Sequence, residues 1–69
     1  MNNQETRKGI VIEMMPNATF NIEEFDTKLI IRAYLSGKMK MNRIAVIVGD
    51  TVEYIVDKQG PNNRVIRRL

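Results

Sequence analysis

The residues of this chain that could carry chemistry are mostly cations, and six of the eleven lie in two short blocks. Residues 38–43 (KMKMNR) hold three cations and no acid, and residues 64–69 (RVIRRL) hold three arginines. Clustered cations gain affinity for nucleic-acid phosphates by releasing counterions, and arginine also stacks on bases or binds a phosphate bidentately. The formal net charge is only +3. On charge alone, a solvated surface explains these blocks slightly better than an anionic partner does.

Catalytic chemistry has few candidate residues. The chain contains no His and no Cys, which excludes Ser–His and Cys–His nucleophiles and the commonest zinc ligands. Ser36 precedes Lys38 by two residues, but a helix cap explains this serine better than a Ser–Lys pair does. Gly37 and Lys38 are similar to the end of a phosphate-binding loop, yet Met39 stands where that loop requires Ser or Thr. We therefore predict a protein that binds and does not catalyse.

The acids form no convincing metal site. Glu23, Glu24 and Asp26 lie close together but lack the spacing of a calcium-binding loop. We interpret them as the solvated end of a hairpin, and we expect neither a metal nor a cofactor.

Alternation of apolar and polar residues predicts five short strands and one short helix. The strands are predicted over residues 9–15, 18–23, 29–35, 51–56 and 65–69, and the helix over residues 38–41. Ser36 is the expected helix cap, and Asn42 is the expected left-handed residue at the helix end. Turns are predicted at residues 16–17, 25–27 and 49–50, and the clearest loop at residues 58–63.

This order predicts an all-β fold, a five-stranded Greek-key barrel with a short helix between strands three and four. That description is the OB-fold, whereas an SH3-like barrel, the alternative, does not expect a helix there. Five short strands cannot bury their apolar faces as an open sheet, and closure removes exposed edges. We expect residues 1–6 to form a flexible arm and residues 7–69 to form a single domain.

The aromatic residues limit what such a barrel could bind. Phe20 and Tyr54 fall on apolar faces and are predicted to lie in the core. Tyr34 and Phe25 remain for stacking, whereas single-strand binders usually offer a larger aromatic platform. The chain is therefore better suited to a structured RNA surface than to free single strands.

Two segments carry a resemblance to a known family. Residues 16–20 (PNATF) and 36–42 (SGKMKMN), followed by Gly49, Asp50 and Val52, resemble bacterial translation initiation factor one over residues 9–68. The resemblance implies an OB-fold that binds the decoding A site of the small ribosomal subunit. It also implies contacts with ribosomal RNA and one ribosomal protein, assistance to the other two initiation factors, and obstruction of premature tRNA entry.

The candidate site residues are chosen from the positions of the charges and from the resemblance to the family. The basic blocks contribute six cations, and the resemblance adds a turn residue and a position where the family often has His. The candidate rRNA-binding residues are Asn17, Tyr34, Lys38, Lys40, Arg43, Arg64, Arg67 and Arg68.

The chain also departs from the family pattern. Ala45 replaces a usual Arg, and residues 57–62 replace the family's Ser-Pro-Tyr-Asp-Leu loop. Asn63 stands where Gly usually precedes the Arg. These departures put contacts through the last loop in doubt.

Two other functions stay open from the residues. A cold-shock-like chaperone of single-stranded RNA would share the OB-fold, although the few aromatics argue against it. A protein–protein adaptor would use its strand edges. We expect a monomer. We also expect no membrane span, because the longest apolar run, residues 44–48, is too short to cross a bilayer. A cytoplasmic location is expected, and the resemblance leaves a plastid open.

Overall fold

A computed structural model describes residues 4–69 and places five strands and one short helix among them. In chain order these are β1 (Thr6–Met15), β2 (Thr19–Glu24), β3 (Ile30–Leu35), α1 (Gly37–Met41), β4 (Thr51–Ile55) and β5 (Asn63–Arg68). The strands close into a barrel in the order β1-β2-β3-β5-β4, in which β3 and β5 are parallel and the other pairs are antiparallel. The predicted OB-fold class, with its helix between strands three and four, is confirmed.

Strict alternation places one face of each short strand in the core. In β2, Phe20 and Ile22 are buried while the residues between them lie on the outer face. In β4, Val52 and Tyr54 are buried in the same way. The predictions that Phe20 and Tyr54 belong to the core are therefore correct.

Helix α1 closes one end of the barrel. Its Met39 side chain is buried in the core, and the Met39 amide donates a hydrogen bond to Ser36 Oγ at 3.2 Å. This contact confirms Ser36 as the helix cap. The predicted helix end is wrong by one residue, because Asn42 has a φ of −85° and Arg43 adopts the left-handed conformation with a φ of 54°.

The turn between β1 and β2 also differs from the prediction. Asn17 and Ala18 both have positive φ angles, of 65° and 54°, so Ala18 belongs to the turn and β2 begins at Thr19. The predicted strand over residues 18–23 began one residue early because Ala18 happened to continue the apolar alternation.

Strand β1 is longer than predicted because its two ends pair with different neighbours. Its first half, from Thr6 to Ile10, pairs with β4, and the part from Gly9 onwards pairs with β2. A register shift between Val11 and Glu13 bends the strand between these pairings. The polar residues before Gly9 gave no strand signal, so the prediction began three residues late.

Thr6 therefore lies within β1, and the carbonyl of Glu5 accepts a hydrogen bond from the Val56 amide at 2.9 Å. Residues 1–3 of the predicted arm lie outside the described residues. The division into an arm of residues 1–6 and a domain of residues 7–69 stays a prediction. Among residues 4–69, no helix is long and apolar enough to cross a membrane.

Gly9 lies where β1 and β2 come closest. A Cβ atom at this position would lie 2.5 Å from the carbonyl oxygen of Glu23 and 2.6 Å from a side-chain methyl of Ile22. Real side chains do not tolerate such distances, so a larger residue must push the two strands apart.

We expect Gly9→Ala to destabilise the barrel by about 1–3 kcal/mol, the usual cost of overpacking. At this chain length that loss lowers the melting temperature by roughly 5–20 °C. Gly37→Ala is the matched control, because a Cβ at Gly37 has no heavy atom within 4 Å. Thermal unfolding followed by circular dichroism measures both, and equal melting temperatures for the two variants would contradict the expectation.

The end of the barrel opposite α1 is closed by a buried carboxylate. Glu24 was predicted to be solvated, but it is only 5% exposed, because its position in β2 points inward beside Tyr54. Arg7 Nη1 donates to both Glu24 oxygens at 2.9 and 3.0 Å, Tyr54 OH donates at 3.1 Å, and Thr27 Oγ1 donates at 2.8 Å. Arg7 also pairs with Glu5.

These contacts shift the ionisation of the groups involved. The hydroxyl of Thr27, followed by Arg7 and Tyr54, lowers the pKa of Glu24, and burial acts in the opposite direction. Burial raises the pKa of Tyr54, and the negative charge of Glu24 raises it further. Hydrogen bonds to Glu5 and Glu24 raise the pKa of Arg7. Glu24 is therefore held as a carboxylate that ties β1, β2 and β4 together.

A lowered folded-state pKa means that Glu24 stabilises the fold above the ordinary glutamate pKa of 4.5 and loses this effect as the pH falls. We expect Glu24→Gln to be less stable than the unmodified chain near neutral pH, and the gap to narrow below about pH 4.5. Urea unfolding across this range measures the gap. Glu23→Gln, on the outer face, is the control, and a gap independent of pH would count against the role of Glu24.

Candidate nucleic-acid interface

The outer face of β3 carries Tyr34, one of the predicted site residues. Tyr34 is partly buried and lies in register between Thr19 of β2 and Arg64 of β5. Its neighbours Ala33 and Leu35 point toward the core. The parallel pairing of β3 and β5 thus places the Tyr34 ring and the Arg64 guanidinium side by side on one surface.

Helix α1 brings a second predicted cation to this surface. Lys38 lines a cleft of about 290 Å³ together with Ser36, Arg64 and Ile66. The two basic blocks of the sequence therefore meet where α1 adjoins β5, although twenty residues separate them in the chain. The structure brings together Lys38, Arg64 and Tyr34, and their role in binding stays a prediction.

Lys40 and Arg43 are two further exposed cations. Lys40 lies on α1, and Arg43, whose backbone is left-handed, lies two residues after the helix ends. Within residues 4–69, no carboxylate oxygen lies within 4.0 Å of Lys38, Lys40, Arg43 or Arg64. Their charges are therefore available to an anionic ligand.

Arg67 and Arg68 differ from the other cations because they already have partners. Arg67 Nη1 lies 3.6 Å from a carboxylate oxygen of Glu53. Arg68 Nη1 donates to the Ala45 carbonyl at 3.1 Å and so ties β5 to the segment after α1. Arg68 also lies about 13 Å along β5 from Arg64, at roughly 3.3 Å per residue. These two arginines do not join the Tyr34 surface directly.

Asn17 lies on the β2 side of the Tyr34 surface, whereas Arg64 lies on its β5 side. It is exposed in the β1–β2 turn, and its carbonyl accepts a hydrogen bond from Thr19 Oγ1 at 3.3 Å. Thr19 in turn faces Tyr34 across the sheet. The turn therefore borders the surface, as OB-fold ligand sites lead one to expect.

The loop after β4, which departs from the family pattern, is held by its own side chains. The Asp57 carboxylate accepts hydrogen bonds from the amides of Gln59 at 3.0 Å and Asn62 at 3.2 Å. Asn63 Oδ1 accepts from the Asp57 amide at 2.9 Å, and Asn63 Nδ2 donates to the Arg32 carbonyl at 2.9 Å. Asn63 thus fastens the loop to β3.

Because a glycine at position 63 makes neither of these hydrogen bonds, we expect Asn63→Gly to loosen the loop while leaving the barrel folded. Amide hydrogen exchange over residues 57–62 should rise by at least about fivefold, because one lost hydrogen bond costs about 1 kcal/mol. Exchange of the β1–β2 amides should not change. Unaltered exchange in the loop would show that Asn63 does not order it.

Tyr34 forms part of the wall of two clefts. The larger, of about 510 Å³, is bordered by Arg64, Lys58 and Asn62 among others. The smaller, of about 210 Å³, is bordered by Arg32, Thr19, Pro61 and Asn62. The sequence prediction missed Arg32 and Lys58. Alternation along β3 already put Arg32 on the same face as Tyr34, whereas nothing in the sequence indicated the position of Lys58.

No protein-family model matches this chain. Among curated proteins, translation initiation factor IF-1 of Rickettsia felis is 43% identical over 44 residues. The aligned segment covers 64% of this chain and spans only 61% of that relative.

Among solved structures, the solution structure of translation initiation factor IF-1 from the Wolbachia endosymbiont of Brugia malayi superposes with a TM-score of 0.79. The two chains are 30% identical, and the match covers 99% of this chain and 80% of that one. The chain belongs to the translation initiation factor IF-1 family. This assignment confirms the resemblance found in the sequence, and it agrees with the prediction of a protein that is not an enzyme.

The IF-1 barrel also has a likeness within a larger protein. YjeQ from Thermotoga maritima matches with a TM-score of 0.80 and 31% identity over 94% of this chain, but only 23% of that protein is covered. The same barrel therefore occurs as one part of a longer chain.

Proposed function

We propose that this IF-1 family member is a translation initiation factor that binds the decoding A site of the small ribosomal subunit through rRNA contacts. The observation that carries the proposal is the junction of α1 and β5, where Lys38 and Arg64 meet beside Tyr34. In this proposal the bound protein assists the other two initiation factors and obstructs premature tRNA entry. It acts as a monomer, and its further contact is one ribosomal protein.

The electrostatics of this surface suit an RNA backbone. Four of its cations have no carboxylate partner within residues 4–69, and Asp57, which borders the Tyr34 cleft, is occupied by loop amides. If the four cations each neutralise one phosphate, the binding constant falls about 50-fold between about 50 and 200 mM salt. In this proposal Lys38, Lys40, Arg43 and Arg64 contact rRNA phosphates. Asn17 contacts the rRNA at the edge of the interface, and Arg67 and Arg68 make secondary contacts.

Co-sedimentation with purified small ribosomal subunits tests the proposal. We expect the chain to migrate with the subunits at low salt and to be released as salt increases. Chemical footprinting of the subunit RNA should show protection confined to the decoding region. Failure to co-migrate at low salt would overturn the proposed function.

The double variant Lys38→Glu with Lys40→Glu should weaken this binding strongly, and the salt slope should fall by about 1.4 because two phosphate contacts are lost. Lys8→Glu with Lys28→Glu is the matched control. It makes the same change in net charge, but Lys8 lies in β1 and Lys28 lies in the β2–β3 turn, at the barrel end away from α1. Equal salt slopes for the two double variants would remove the α1 cations from the interface.

Measuring binding against salt concentration also distinguishes the proposed function from the alternative, a protein–protein adaptor. An adaptor that uses strand edges keeps its affinity at high salt and is not displaced by nucleic acid. As part of the same proposal, the chain works where translation takes place, in the cytoplasm or in a plastid.

A further inference from the structure

Strand β3 has a neighbouring strand on both sides along only part of its length. It pairs with β2 from Ile30 to Tyr34, whereas β5 pairs only with residues 33–35. The first part of β3, residues 30–32, therefore has a free edge on the side where the barrel closes against β5. A free strand edge is either protected from other chains or used to bind one.

The hydrogen bonds toward β2 decide which backbone groups of β3 face this free edge. The Leu29 carbonyl and the Leu35 amide both hydrogen-bond on the β2 side, at 2.9 Å each. Successive residues of a strand turn their backbone groups to opposite sides, so the odd-numbered residues of this stretch face β2. The even-numbered residues Ile30 and Arg32 turn their amide and carbonyl groups away from β2.

Three of these backbone groups have no hydrogen-bond partner within residues 4–69. The Arg32 carbonyl accepts a hydrogen bond from Asn63 Nδ2 at 2.9 Å, in agreement with an orientation away from β2. The Ile30 amide, the Ile30 carbonyl and the Arg32 amide make no hydrogen bond in the described part of the chain. These three groups are available to the backbone of an added strand.

The side chains along the free edge are apolar or basic. Leu29 and Ile30 are 63% and 54% exposed. Lys28 and Arg32 flank them in the chain, and among residues 4–69 neither cation has a carboxylate oxygen within 4.0 Å. Glu23 pairs with Ile30 from β2, on the side of β3 opposite the free edge. An added strand therefore meets apolar surface bounded by unpaired positive charge.

We propose that the free edge of β3 binds an extended segment of a partner protein, in which a short apolar run is bounded by Asp or Glu. The segment adds to the sheet as a further strand and pairs with the three available backbone groups. Its apolar side chains cover Leu29 and Ile30, and an acidic side chain lies beside Arg32. This protein contact goes beyond the RNA binding proposed above.

The chemistry of the edge favours such a segment over two other occupants. A phosphate group can accept from the free amides, but it cannot donate to the Ile30 carbonyl and gains nothing from Leu29. A second copy of this chain, paired antiparallel about Ile30, would place Lys28 of one copy beside Arg32 of the other. Like charges directly opposite each other destabilise a strand pair.

The free edge is separate from the basic surface at α1. Ile30 lies about 13 Å along β3 from Tyr34, at roughly 3.3 Å per residue, so that RNA and the protein segment can be bound together. Three hydrogen bonds and two exposed apolar side chains make a weak contact by themselves. A partner held on the same RNA gains affinity from the high effective concentration.

Amide hydrogen exchange followed by NMR tests the edge residue by residue. In the free chain, the Ile30 and Arg32 amides should exchange at least about fivefold faster than the Ile31 amide, which faces β2. The probe is the peptide acetyl-Glu-Val-Val-Val-Glu-amide, whose ~5 residues match an ordinary strand and read the same in both directions. The control peptide has the same side chains but carries a methyl group on each valine nitrogen, which removes those donors.

We expect the probe to slow exchange of the Ile30 and Arg32 amides at least about fivefold and the methylated control to leave it unchanged. Ile30→Ala should weaken binding of the probe about fivefold, because apolar contact is lost. Ile47→Ala is the matched control and should leave binding unchanged, because Ile47 is similarly exposed, at 58%, but lies in the segment before β4. Circular dichroism checks both variants, and the exchange pattern of the unmodified chain needs neither.

Four results would overturn the proposal. Slow exchange of the Ile30 amide in the free chain means that the edge is already occupied. No protection by the probe, or equal protection by the methylated control, excludes an added strand. Equal protection by inorganic phosphate means that the edge binds an anion and not a peptide. Protection that increases with the concentration of the chain alone means that a second copy covers the edge.

Discussion

The barrel depends on the close approach of β1 and β2 at Gly9, where β1 also pairs with β4. Gly9 and Ile10 of β1 face β2 on one side and β4 on the other, and only a residue without a side chain fits the close approach at Gly9. Closure at this point leaves β3 and β5 as the remaining edges, which then pair in parallel. The parallel pairing makes Tyr34 and Arg64 neighbours, and the proposed interface is built on that juxtaposition.

The charges at the two ends of the barrel have different roles. At one end, Arg7 and Glu24 are paired beneath Tyr54, and these charges hold three strands together. At the other end, Lys38 and Arg64 have no acidic partner within the described residues. A ligand that binds through its phosphates therefore meets unpaired cations on α1 and β5 without competing against the ion pairs that stabilise the fold.

The fold was largely predictable because apolar and polar residues alternate along the strands, and because the residues of turns and helix caps are local signals. Ser36 indicated the start of α1, and Phe20 indicated the buried face of β2. The errors arose where tertiary contacts override local pattern. The burial of Glu24 depends on Arg7, a residue seventeen positions away, and Lys58 borders the cleft beside Tyr34 because Asn63 fastens its loop to β3. No local pattern encodes such pairings.

The loop after β4 shows how a departure from the family pattern can preserve a surface. A glycine before Arg64 would make neither side-chain hydrogen bond, whereas Asn63 hydrogen-bonds both the loop and β3. The Asp57 carboxylate accepts hydrogen bonds from the backbone amides of Gln59 and Asn62 in the same loop. Because the loop forms one wall of the clefts beside Tyr34, these two side chains hold that wall in place.

The loss of the family's usual Arg at Ala45 has the opposite effect, because it removes a cation from the segment after α1. The Ala45 carbonyl instead accepts a hydrogen bond from Arg68, so this segment is tied to β5 and adds no charge of its own at that position. Arg43 is therefore the cation that this segment offers to the proposed interface, in addition to Lys38 and Lys40 on α1 and Arg64 on β5.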